Sequence, residues 1–112
     1  MLVAIAPHLR MVTTMKTTVA QIKAKLSGQE IELKRLGVHS LHIFGSVAQG
    51  RSQDSSDIDF LVEFDRPVGM FDFLEVKYFL EDLLKAEVDL ATSRALHPRL
   101  RDGILKEAVR VA

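Results

Sequence analysis

The sequence predicts an α/β chain of the α+β type, a small mixed β-sheet with helices packed on it. Three observations predict it. Two stretches of strand character, Val38 to Phe44 and Asp57 to Phe64, are joined by a short polar connection. A long amphipathic stretch, Met70 to Leu84, separates the second of these from a third strand, Val88 to Ala91. Helical periodicity occupies both ends of the chain.

The first element runs from Thr17 to Leu26, where Val19, Ile22 and Leu26 follow helical spacing, and Ser27 to Glu30 reads as a capping box that opens a second short helix. Gly37 stops that helix near Leu36. Val38 to Phe44 is rich in β-branched and large apolar residues and ends at Gly45, as a strand does. Gly45 to Ser56 holds two Gly, four Ser and only two apolar residues, which is the composition of a loop or short helix. Asp57 to Phe64 alternates strictly, with Ile58, Phe60, Val62 and Phe64 on one face and Asp57, Asp59, Leu61 and Glu63 on the other. After a turn at Asp65 to Gly69, Phe73, Val76, Leu80 and Leu83 line one stripe of the long helix. Arg99 to Val109 closes the chain as an amphipathic helix on Leu100, Ile104 and Ala108. A helix between strands two and three makes them parallel, and the short connection makes strands one and two antiparallel neighbours.

At 112 residues and 12.5 kDa, with 47% apolar and 27% charged residues, the chain is the size and composition of one folded domain. We read residues 1–15 as an N-terminal tail and 16–112 as that domain. Fifteen basic residues balance fifteen acidic ones, which argues against direct nucleic-acid binding. No Cys is present, so disulfides, thiolate metal sites and cysteine nucleophiles are excluded, as fits a cytoplasmic protein. Leu2 to Ala6 is too short for a signal-peptide core, and no apolar run approaches the roughly 20 residues that span a bilayer.

The chemistry concentrates at the polar connection. Asp57 and Asp59 lie two apart on a strand, so their side chains share a face at roughly 6 to 7 Å. Two like charges about 4 Å apart cost on the order of 4 kcal/mol at an effective dielectric of 20, and a divalent cation removes that cost. Hard oxygen ligands without His or Cys suit Mg²⁺. Gly45 and Ser46 end a strand where backbone N–H groups and a hydroxyl can seat a phosphate. Asp89, alternating with Val88 and Leu90, lies beside the second strand and supplies a third carboxylate. Each feature alone has a plainer reading: a solvent-facing acidic pair, a strand-ending turn, a charge guarding a sheet edge, and, for Arg51, a solvated loop charge. Together they describe phosphoryl chemistry. His39, His42 and His97 are not spaced as metal ligands, and Phe71, Phe73, Tyr78 and Phe79 read as core and partner-facing helix surface.

Gly45-Ser46, ten residues and Asp57-Ile58-Asp59 reproduce the GS-x10-DxD signature of the superfamily that includes DNA polymerase β and kanamycin nucleotidyltransferase. From LHIFGSVAQG through SDIDFLVEFDRPVG to VDLAT and LHPRLRDGILKEAV, about residues 16 to 111, the chain resembles the minimal nucleotidyltransferase (MNT) family. The resemblance implies a polymerase β-like fold and ATP as substrate. It implies triphosphate contacts at Gly45 and Ser46, Mg²⁺ on Asp57 and Asp59, and Asp89 as the third carboxylate that helps activate an attacking hydroxyl. It further implies an antitoxin that transfers AMP to a HEPN-type ribonuclease toxin. Gln49 stands where many members carry Arg, a cation that Arg51 would replace. A chain this short leaves the acceptor surface to a partner or a second copy. Two other outcomes stay open: an antitoxin that acts by steric cover alone, and a nucleotidyltransferase for an aminoglycoside-like small molecule.

Overall fold

A computed structural model describes residues 18–50 and 57–112. The expected N-terminal tail and Arg51 lie outside the described residues. Helices α1 (Val19–Leu26) and α2 (Glu30–Arg35) precede strand β1 (Val38–Phe44), and a single-turn helix α3 (Gly45–Ala48) follows it directly. Strand β2 (Ile58–Phe64), helix α4 (Met70–Leu84) and strand β3 (Val88–Ala91) come next. A 3₁₀ turn (Ser93–Ala95), helix α5 (Pro98–Glu107) and strand β4 (Val109–Arg110) complete the chain.

The four strands form one mixed sheet in the order β3-β2-β1-β4, with β2 antiparallel to β1 and parallel to β3. The expected pairing of the three main strands is therefore found. Ile43 and Phe60 pair across β1 and β2, and Phe60 pairs with Leu90 across β2 and β3, so one apolar row crosses the sheet. Ile22 of α1 and Val76 and Leu80 of α4 complete this core with Leu41, Ile43, Ile58, Phe60 and Val62, all essentially without solvent contact. Phe73 and Phe79 pack against the core, whereas Phe71 and Tyr78 face solvent, which divides the aromatic group as its helical spacing predicts.

Two details differ from the sequence expectation. The capping box sits at the start of α1, where the Thr18 hydroxyl accepts from the Gln21 N–H at 3.2 Å and the Gln21 side chain accepts from the Thr18 N–H at 3.1 Å. Ser27 instead ends α1, and Glu30 reaches back to the Gly28 N–H, because Gly28 turns the chain at φ +89° and delays α2. The closing helix also stops earlier than expected. Ala108 is its C-cap, and Val109 and Arg110 turn into β4 against Ile43 and His42 of β1. His97 opens that helix by accepting the Arg99 N–H on its ring nitrogen Nδ1 at 3.1 Å, ahead of Pro98.

Candidate active site

Phe44, Asp59 and Asp89 are register partners across β1, β2 and β3, so they form a single row at one end of the sheet. Directly paired residues project to the same face. Asp59 and Asp89 thus share a face on adjacent strands roughly 4.8 Å apart. Asp57, one residue before β2, adds a third carboxylate two positions from Asp59. Asp57 and Asp89 are exposed and Asp59 is half-buried.

Burial, first, and then the charges of Asp89 and Asp57 push the Asp59 carboxyl above its ordinary range. The three acids therefore repel one another in the way the alternation predicts, with the strain on the middle one. They do not form a closed cage: among the described residues, no group of three His, Cys, Asp or Glu side chains has metal-holding geometry. Mg²⁺ needs no such cage, since it takes one or two carboxylates and keeps waters or substrate phosphate oxygens in its remaining positions. An oxygen-only, mutually repelling donor set fits that ion.

Gly45 is positioned by its neighbour across the sheet. It holds φ +74°, and the Cβ that any other residue would carry there overlaps Asp59 Oδ2 and lies 3.2 Å from Asp59 Cγ. Only glycine brings the backbone at the end of β1 this close to the carboxylate. Ser46 follows in α3, half-buried, and Val47 anchors that turn in the core. The expected turn after β1 is thus a helical turn, with Gly45 beside Asp59 and Ser46 next in the turn. Gln49, the departure from the family pattern, ends the same turn. Its side-chain N–H donates to Glu107 of α5 at 2.5 Å, which fastens the closing helix to the connection after β1. Sequence reasoning treats α5 as a covering helix, and nothing in its spacing reveals that it meets α3. Two grooves elsewhere, one lined by Leu26, Leu33, Val38 and Val111 and the other by Phe64, Pro67, Thr92 and Arg94, contain none of these residues.

A backbone held by glycine against a row of carboxylates is an arrangement that metal-assisted phosphoryl chemistry can use. The nucleotidyltransferase domain family matches residues 26–111. A Methanocaldococcus jannaschii protein that carries the protein adenylyltransferase name, MJ0435, is 46% identical over 79 residues, covering 70% of this chain and 85% of that one. A solved structure described as a minimal nucleotidyltransferase superposes with a TM-score of 0.71 at 34% identity, over 83% of this chain and 95% of its own. The fold is shared as well by a solved complex of tri-AMPylated Shewanella oneidensis HEPN toxin with MNT antitoxin, at a TM-score of 0.51, 18% identity, and 77% and 71% coverage. The chain belongs to the nucleotidyltransferase domain family, in its minimal nucleotidyltransferase branch.

Proposed function

We propose that this protein transfers AMP from ATP, with Mg²⁺, to a hydroxyl of a partner protein, and that the partner is a HEPN-type toxin which the transfer silences. The observation that carries the reading is the Asp59–Asp89 register pair with Gly45 pressed against it. In this reading Gly45 and Ser46 hold the triphosphate, by backbone N–H and hydroxyl, and Arg51 adds positive charge. Asp57, Asp59 and Asp89 would hold Mg²⁺, which when bound neutralises phosphate charge and polarises the phosphate oxygens. Asp89, exposed on the edge strand, accepts the proton of the acceptor hydroxyl. The hydroxyl oxygen bonds to the α-phosphorus, the bond from that phosphorus to the β-phosphate oxygen breaks, and pyrophosphate leaves with the electron pair.

Two facts support a protein acceptor. Asp57 and Asp89 are exposed at the end of the sheet, where a large partner can reach them. The shared fold includes an MNT antitoxin solved with an AMPylated HEPN toxin. The described residues contain no helix long and apolar enough to cross a membrane, and the reading places the enzyme in the cytoplasm. Gln49 in place of arginine favours a second reading, a partner-covering antitoxin without transfer. ATP labelled at the α-phosphate separates the two. Wild type labels the partner and the Asp57→Asn, Asp59→Asn double variant does not, while label supplied on the γ-phosphate never appears on protein. Binding of the partner without label by wild type would overturn transfer and leave steric cover.

A further inference from the structure

Helix α5 turns one stripe toward the domain, and that stripe carries a cation. Arg101, Ile104 and Ala108 are partly buried at helical spacing, whereas the other residues of α5 are exposed. The elements α5 packs on are α3 and β1. Arg101 Nε is fully shielded from solvent and has no hydrogen-bond partner among the described residues. A buried charged donor left unpaired is costly, and native proteins rarely keep one without a use.

The topology says where this donor sits. β4 pairs antiparallel with β1, Val109 opposite Ile43, so walking back from β4 into α5 leads past the Gly45 end of β1. The Gln49 to Glu107 hydrogen bond then holds the last turn of α5 against the end of α3. Arg101 lies six residues before Glu107, roughly 9 Å along the helix axis, on the partly buried stripe of a helix that packs on α3 and β1. The described part of the phosphate seat, Gly45 to Gly50, contributes no cation of its own, and its Gly45 lies against the Asp59 carboxylate. A triphosphate entering there carries more negative charge than one loop cation balances, so a further guanidinium from a neighbouring element would strengthen its binding.

We infer that Arg101 is a phosphate-binding residue of the nucleotide site, its guanidinium supplied by α5 in addition to the charge that the proposed function assigns to Arg51. The inference rests on the nucleotide reading above and assigns that site its second wall. Arginine suits the role because its planar fork gives paired, charge-assisted hydrogen bonds to phosphate oxygens.

Calorimetry on the full chain with Mg²⁺ tests it, using ATP and adenosine as separate probes on wild type, Arg101→Met and Arg101→Lys, with thermal melting of each protein. Arg101→Met weakens ATP binding by roughly ten- to a hundredfold, the scale of a lost charge-assisted contact. Adenosine binding is unchanged, and Arg101→Lys recovers part of the loss. Without ligand, Arg101→Met melts no lower than wild type, because it removes an unpartnered buried donor, and its stabilisation by a fixed ATP concentration is smaller. Equal ATP affinity in wild type and a folded Arg101→Met overturns the inference alone. So does a parallel loss for ATP and adenosine, which marks a structural role. Absence of ATP binding by wild type overturns the nucleotide reading itself, and the inference with it.

Discussion

Replacing Gly45 by alanine tests the geometry of the site through two separable costs. The first is conformational: at φ +74° a residue with a Cβ costs about 1 to 2 kcal/mol. The second is steric, because the new Cβ overlaps the Asp59 carboxylate, and overpacking of this kind costs about 1 to 3 kcal/mol. Gly50 provides the control, since it holds φ +73° and a Cβ added there would meet nothing within 4 Å. Gly50→Ala therefore bears only the first cost. In urea unfolding, Gly45→Ala should be less stable than Gly50→Ala by about 1 to 3 kcal/mol. Asp59→Ala removes the overlapping atoms and leaves the Asp59 Cβ at 3.5 Å from the new methyl, an ordinary contact. In that background the cost of Gly45→Ala should fall to that of Gly50→Ala, which makes the coupling measurable in a double-mutant cycle. An unchanged cost of Gly45→Ala with and without the Asp59 carboxylate would refute the argument. Label transfer from ATP should be abolished in Gly45→Ala and retained in Gly50→Ala.

The raised Asp59 carboxyl gives the metal-free protein a defined pH dependence. A folded-state value above the ordinary one means that folding favours the protonated form, so stability is greatest below the usual carboxylate range and falls as pH rises through the Asp59 value. Asp59→Asn should match wild type in acid and melt higher near neutrality in EDTA, by no more than about 1 kcal/mol given the exposure of the cluster. A wild type that melts above Asp59→Asn at neutral pH without metal would contradict it. A further outcome concerns Glu81, whose carboxylate accepts from Lys77 at 2.8 Å and from the Val88 N–H at 3.1 Å. Those two bonds, Lys77 first, hold its carboxyl below the ordinary range. Glu81→Ala should loosen the start of β3, seen as faster hydrogen exchange at Val88, and Glu81→Gln should keep most of the protection because its amide oxygen still accepts that N–H.

Much of this architecture is written in short-range patterns. The alternation of Asp57 to Phe64 separates carboxylates from core residues without any knowledge of neighbours, and the structure keeps Phe60 and Val62 inside and Asp59 at the surface row. Gly45 next to Ser46 at the end of an apolar strand is equally local. What local pattern does not supply comes from pairing. β4 has two residues and is a strand only because Val109 meets Ile43, so its own composition reads as the tail of a helix. Ser27 to Glu30 satisfies the capping-box pattern without forming one, because Gly28 turns at positive φ and puts the helix start at Glu30. Arg101 is hidden from sequence reading for a related reason: among α5's alternating charges, only packing distinguishes the one that faces inward.

The row from Phe44 through Asp59 to Asp89 is set by strand register, and this determines where the chain tolerates insertions and deletions. The connection from Lys85 to Glu87 enters β3 one residue before Val88, and a single added residue there would turn Asp89 to the opposite face and bring Val88 and Leu90 out of the core. The turn between β2 and α4 leads into a helix and sets the phase of no strand, and although the Asp65 N–H donates to the Gly37 carbonyl at 2.9 Å, the residues that follow, Arg66 and Pro67, are exposed. Length variation that preserves activity should therefore accumulate at residues 65–69 and be absent from 85–87. Two connections of similar length thus differ in evolutionary freedom because only one of them sets the phase of a carboxylate.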